Sequence, residues 1–212
     1  MRPGPIHLLS RRRLLGGLIG VGAAAPLLSL AACGTSDPSY YTLTPVPGTP
    51  RTGGPMTVEV RTPGIAPYLD RDSIVRNDQY NRLKLAKGSA WASSLAEMIG
   101  RTLALDLSQR LPSSNVYTQT GAISTEPLAL VELDVSRFLE DGAGRPEIEA
   151  MLSVYRPDSG PAGSRTLHFT RDATDGGIDD LVAGLSALLG KVADAAADAL
   201  LALPPAPGIA SG

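Results

Sequence analysis

Three stretches with an apolar side chain at every second residue, followed by one long stretch at helical spacing, do most to limit the folds open to this chain. Ala129, Val131, Leu133 and Val135 alternate with Leu130, Glu132, Asp134 and Ser136. Ile148, Ala150, Leu152 and Val154 alternate with Glu149, Met151, Ser153 and Tyr155, and Leu167 and Phe169 alternate with Thr166, His168 and Thr170. A period of two sends successive side chains to opposite faces of a strand. The turn Asp141-Gly142-Ala143-Gly144 and a later Pro/Gly loop join these runs, which predicts an antiparallel meander with one apolar face. Beyond it, Ile178, Leu181, Val182, Leu185, Leu188, Leu189, Val192, Ala196, Leu200 and Leu203 form one helical stripe. Asp175, Asp179 and Asp180 stand near its start, where acidic groups favour the positive end of the helix dipole. Burying one Leu-sized side chain contributes about 1.5 to 3 kcal/mol, so a stripe of this length must lie on another apolar surface.

The preceding part of the chain follows the same logic. Met56, Val58 and Val60 alternate with polar neighbours as in a half-buried strand, and a loop follows through Pro63, Gly64 and Pro67. Ser73 to Asn77 and Asn81 to Leu85 flank Asp78-Gln79-Tyr80 as a short hairpin. From Trp91 the period becomes helical, with Leu95, Met98, Ile99, Leu103 and Leu107 on one face and Pro112 closing the segment. Residues 34 to 55 are rich in Gly, Ser, Thr and Pro, with Tyr40-Tyr41-Thr42-Leu43 as a strand-like island able to form an edge strand. The expected fold is α+β: a single-domain sandwich of a mostly antiparallel sheet with two helices packed on one face. The expected divisions are a leader over 1–32, a flexible tether over 33–55, the α+β domain over 56–203 and a disordered tail over 204–212.

The leader carries its own signals. Arg11, Arg12 and Arg13 precede an apolar stretch from Leu14 to Leu30, and Ala31 and Ala32 close it, which is the layout of a secretory signal peptide. Five residues, Gly16, Gly17, Gly20, Gly22 and Pro26, interrupt the stretch, which is weaker than the about 20 strongly apolar residues of a permanent span. Leu30-Ala31-Ala32-Cys33 resembles the lipobox of bacterial lipoproteins, and Cys33 is the only cysteine in the chain. With no disulfide partner available, its position assigns it as the lipid attachment site, anchoring the mature chain to a membrane through acyl groups. Ser10-Arg11-Arg12-Arg13-Leu14-Leu15 fits both a twin-arginine export signal and an ordinary positive leader. Gly34 stands where lipoproteins retained at an inner membrane often carry Asp, which favours the outer membrane of the cell envelope.

The leader holds four arginines and no acid, so the remainder has 15 basic and 21 acidic residues, a net charge of −6. That balance argues against nucleic acid as a partner. His168 is the one histidine after the leader, no Gly-x-Ser-x-Gly occurs, and Lys84, Lys87 and Lys191 show no Ser-x-x-Lys order. Asp172, Asp175, Asp179 and Asp180 lack the spacing of an EF-hand, and no Gly-x-x-x-x-Gly-Lys is present. The expectation is a protein that is not an enzyme, with no catalytic residue, no metal site and no cofactor.

Tyr40-Tyr41-Thr42-Leu43, Val58 and Val60, Pro67-Tyr68-Leu69-Asp70-Arg71, Ile74-Val75-Arg76 and Trp91-Ala92 with Leu95 stand in an order that resembles the auxiliary lipoproteins of ABC-type transport systems, the PqiC-like group. Ala92-Ser93-Ser94 departs from the Glu-Pro pair often found there. The resemblance implies a lipid-anchored docking or adaptor subunit that works beside an ABC permease and ATPase and an MCE-type substrate-binding subunit, moving lipids or other apolar molecules across the envelope. The alternative is a structural or assembly lipoprotein unconnected to a transporter. Self-association into a ring is left open. Tyr40 and Tyr41, on a pairing edge, and Tyr68 and Leu69, in a loop, are the candidate partner-binding residues; Tyr68 and Leu69 are equally readable as caps on the core.

Overall fold

The computed structural model describes residues 37–79, 81–119, 125–160, 163–173 and 176–204. The strands are β1 (Ser39–Tyr41), β2 (Thr57–Val60), β3 (Gly64–Ile65), β4 (Ser73–Gln79), β5 (Arg82–Trp91), β6 (Asn115–Thr118), β7 (Ala129–Glu140), β8 (Pro146–Tyr155) and β9 (Arg165–Thr170). The helices are α1 (Leu95–Arg110) and α2 (Ile178–Leu201).

The meander forms as its periodicity requires. β7 pairs with β8 and β8 with β9, both antiparallel, and Val131, Val135, Ile148, Ala150 and Leu152 are buried. One irregularity interrupts β7: its register shifts between Val135 and Arg137. A single extra residue moves the apolar phase by one, so Phe138 lies opposite Ile148 and is buried where strict alternation from Val135 would have put Arg137.

β2 joins the meander in parallel, Val58 opposite Ala129 and Val60 opposite Val131, and β6 pairs in parallel on its other side. The large sheet therefore runs β6-β2-β7-β8-β9, antiparallel in its longest pairings, with β3 pairing further along β7. A second sheet, ordered β1-β5-β4, contains the hairpin and the Tyr40–Tyr41 island. Both helices cover one face of the large sheet, as expected from their stripes, and the core runs through Val58, Leu103, Leu107, Val131, Leu185, Leu189 and Val192.

Two boundaries differ from the sequence reading. Helix α1 starts at Leu95, and Trp91 is the last residue of β5. The spacing from Trp91 to Leu95 mimics a helical turn, but the Trp91 amide donates to Asp72 O at 2.7 Å and the Ala92 amide to Tyr41 O at 2.8 Å, which keeps the chain extended. Trp91 is nonetheless buried in the core.

The described part of the segment expected to be a flexible tether is instead a strap across the helix pair. Leu43 is buried, the Thr44 amide donates to Ser186 Oγ at 3.2 Å, the Val46 amide donates to Asp106 Oδ1 at 2.7 Å, and the Arg51 amide donates to Arg110 O at 2.7 Å. Composition misleads here because α1 and α2 supply the binding groups from distant positions in the chain. Cys33, Asp175 and residues 205–212 lie outside the described residues.

Candidate functional site

The strap is held by a polar cluster at the seam between the helices. Arg110 projects from the last turn of α1 on the buried face, and its guanidinium satisfies five bonds. Nε donates to Asp194 Oδ1 at 2.7 Å, Nη1 to Val46 O at 3.1 Å and Asp106 O at 3.0 Å, and Nη2 to Gly190 O at 3.0 Å and Asp194 Oδ2 at 3.4 Å. A Cβ at Gly48 would overlap this group, 2.6 Å from Nε, so the strap passes closest at a residue without a side chain. Arg51 extends the network to Asp194 O at 3.1 Å and Asp198 Oδ1 at 2.6 Å. Burial pushes the Asp106 carboxyl up to about 6; the Val46 amide and Arg110 oppose that shift and Asp194 adds to it. Asp106 Oδ2 is buried without a hydrogen-bond partner among the described residues. These residues were missed in the sequence, yet Asp106 and Arg110 stand one turn apart on the apolar stripe of α1, which is the signal that could have exposed them.

The predicted partner-binding residues separate into two kinds. Tyr40, 68% exposed, sits opposite Ala90 on β1 and presents a free aromatic surface. Tyr41 is half-buried, and hydrogen bonding to the Asp179 carboxylate, with burial adding to it, raises its phenol above the usual value. Tyr68 is also half-buried and donates its hydroxyl to Ser136 O at 2.6 Å; burial raises its phenol while Arg137 pulls the other way. Leu69 is only 1% exposed. Its role as a contact residue is corrected: the Leu69 amide bonds to Ala66 O at 2.8 Å in a tight turn that turns the side chain into the core.

His168 lies on the open face of the sheet as expected, but it has a partner that the sequence did not suggest. Its Nε2 is 2.8 Å from Glu147 Oε1, and Arg137 Nε donates to Glu147 Oε2 at 2.8 Å. Glu147 thus links β7, β8 and β9 through its two carboxylate oxygens. Further along the same face, Tyr155 donates to Glu132 Oε1 at 2.7 Å and Arg61 lies 3.4 Å from the same oxygen. Among the described residues no group of three or more metal-ligating side chains is assembled, and no helix is long and apolar enough to cross a membrane.

Residues 41–197 match the family of the ABC-type transport auxiliary lipoprotein component. The chain belongs to that family. The matched stretch begins in β1 and ends in α2, so this auxiliary lipoprotein carries the family's whole matched region within the strapped α+β domain. No curated protein matches the chain. Two crystal structures share the fold at 20% identity. One, described as an uncharacterized protein, superposes with a TM-score of 0.65 over 77% of this chain and 99% of its own. The other, a Xanthomonas campestris protein assigned to DUF330, superposes with a TM-score of 0.64 over 76% of this chain and 95% of its own.

Proposed function

We propose that this auxiliary lipoprotein is a docking or adaptor subunit of an MCE-associated ABC transport system for lipids or other apolar molecules, held at the periplasmic side of the outer membrane by acyl groups on Cys33. The observation that carries the reading is the family match over residues 41–197, which coincides with the folded domain. The strap supports it mechanically. It ties the stretch that follows β1 to α1 through Asp106 and Arg110 and to α2 through Ser186, by partly buried hydrogen bonds, so a pull on the anchor is passed to the helix pair. In this reading the domain binds and positions partners and carries out no chemistry of its own. Tyr40 is the residue best placed to meet a partner.

Purification of the acylated protein in mild detergent tests the reading directly. The expected result is recovery of an MCE-type subunit or the permease, together with impaired envelope lipid transport on deletion. Recovery of neither, with normal transport in the deletion strain, overturns it.

A further inference from the structure

The hairpin formed by β4 and β5 concentrates features that the core does not use. Leu83 is 46% and Leu85 50% exposed, and their spacing of two places them on one face of the ribbon. Arg82 and Lys84 alternate with them, and Lys87 follows, so two of the chain's three lysines fall within four residues of a protein whose mature charge is negative. Asp78 pairs with Arg82 and with Lys84 at 3.3 Å, yet both basic side chains remain at least half exposed. Lys87 is also exposed.

The path of the anchor segment gives this patch a location. β1 runs parallel to β5 with Ser39 opposite Ser89, so the chain upstream of Ser39 leaves toward the start of β5, where the hairpin turns. Pro38 already lines a depression with Ala86 and Gly88 on that side. Cys33 stands six positions before Ser39, a length of chain that reaches at most about 20 Å. Leu83 likewise stands six positions before Ser89, about 20 Å along the strand. The greatest length of the anchor segment is therefore comparable with the distance from Ser89 to the hairpin end.

We propose that the end of the β4–β5 hairpin is a second membrane contact, with Leu83 and Leu85 entering the interfacial layer and Arg82, Lys84 and Lys87 engaging anionic lipid phosphates. This rests on the acylation of Cys33. Apolar side chains flanked by long basic ones suit that boundary, because the aliphatic stems follow the leucines into it while the charges stay with the headgroups. Together the two contacts fix the orientation of the domain, which a single flexible anchor leaves free to rotate.

The test uses the full acylated protein in phosphatidylcholine vesicles with and without phosphatidylglycerol. Since Cys33 is blocked by its acyl groups, Leu83→Cys or Leu85→Cys supplies a single free thiol for a fluorophore, and Leu105→Cys on the exposed side of α1 is the control. The expected result is several-fold stronger quenching by nitroxide lipids at positions 83 and 85 than at 105. The difference grows with phosphatidylglycerol and shrinks in an Arg82→Gln, Lys84→Gln background. Vesicle flotation reports the anchor separately. Protein that floats but shows equal quenching at the three positions overturns the hairpin contact alone, and protein that does not float overturns the anchoring reading and this contact with it. Labels at 83 and 85 that escape lipid quenching and become shielded from aqueous iodide only when transport subunits are added would assign the patch to a protein instead.

Discussion

Arg110 and Asp194 meet at 2.7 Å across the seam between α1 and α2, the guanidinium 2% exposed and the carboxylate 43% exposed. The asymmetry decides what each contributes. The arginine has exchanged water for a carboxylate and three backbone carbonyls from α1, α2 and the strap, whereas the aspartate keeps part of its hydration. Arg110→Ala leaves those carbonyls without their donor and opens a void, and we expect a loss of about 3 to 5 kcal/mol. Asp194→Ala should cost less, about 1 to 2 kcal/mol, because the three carbonyls still hold the guanidinium and water can reach the side that the half-exposed carboxylate vacates. Urea unfolding midpoints of the two variants measure the difference, and equal losses would refute the asymmetry.

The second expectation concerns pH and Asp106. Its folded value of about 6 lies above the roughly 3.9 of an unfolded aspartate, so the folded state holds the proton more tightly. The sign follows from linkage: this residue opposes folding most above pH 6, and its penalty is relieved as pH falls from about 6 to about 4. Asp106→Asn retains an acceptor for the Val46 amide and removes the titration. The stability difference between wild type and Asp106→Asn should therefore shift toward wild type by up to about 2 kcal/mol between pH 7.5 and pH 4.5. A difference that stays constant over that interval would show that burial does not perturb the group. The comparison is needed because Asp141, held below its usual value by bonds from Arg145 and Ala143, loses its contribution on acidification, opposite in sign.

The meander and the terminal helix were legible in the sequence because each has one wet face and one dry one, so periodicity alone identifies them. The hairpin was legible from its turn residues. Parallel pairing of β2 with β6 and β7 was not, since register between strands so far apart in the chain leaves no local trace. Strand β6 escaped notice because its four residues carry too short a pattern. The strap was hidden for a different reason: a Pro/Gly-rich segment lacks the apolar surface to order itself, and here it is ordered by donors and acceptors on two helices. For the candidate site, the exposed position of His168 was plain in the sequence. The burial of Leu69 depends on the turn at Ala66, which no periodicity announces.

The third expectation tests the closest approach of α2 to the sheet. Gly184 faces Pro146 at the start of β8, and a Cβ added there would overlap the proline ring, 2.8 Å from its Cβ. In an open helix Gly→Ala stabilises by about 1 kcal/mol. Here overpacking against a rigid ring should outweigh that gain, so Gly184→Ala is expected to destabilise by about 1 to 2 kcal/mol. Adding Pro146→Ala should recover part of the loss by removing the ring. Thermal denaturation of the single and double variants checks both, and a more stable Gly184→Ala protein would mean that the helix shifts freely over the sheet.

The last expectation separates surface from core among the residues first considered for partner binding. Tyr40 is exposed on β1, so Tyr40→Ala should change stability by less than about 0.5 kcal/mol. Leu69 is enclosed by the core, and Leu69→Ala should cost about 2 to 4 kcal/mol through lost burial and the cavity left behind. If Tyr40 meets a partner, its replacement lowers recovery of the transport subunits from mild detergent while leaving the amount of folded lipoprotein unchanged. Leu69→Ala should instead lower the folded amount and the recovery together. Normal recovery with Tyr40→Ala would remove that residue from the interface, and a loss of folded protein would show that β1 needs its aromatic ring to stay paired with β5.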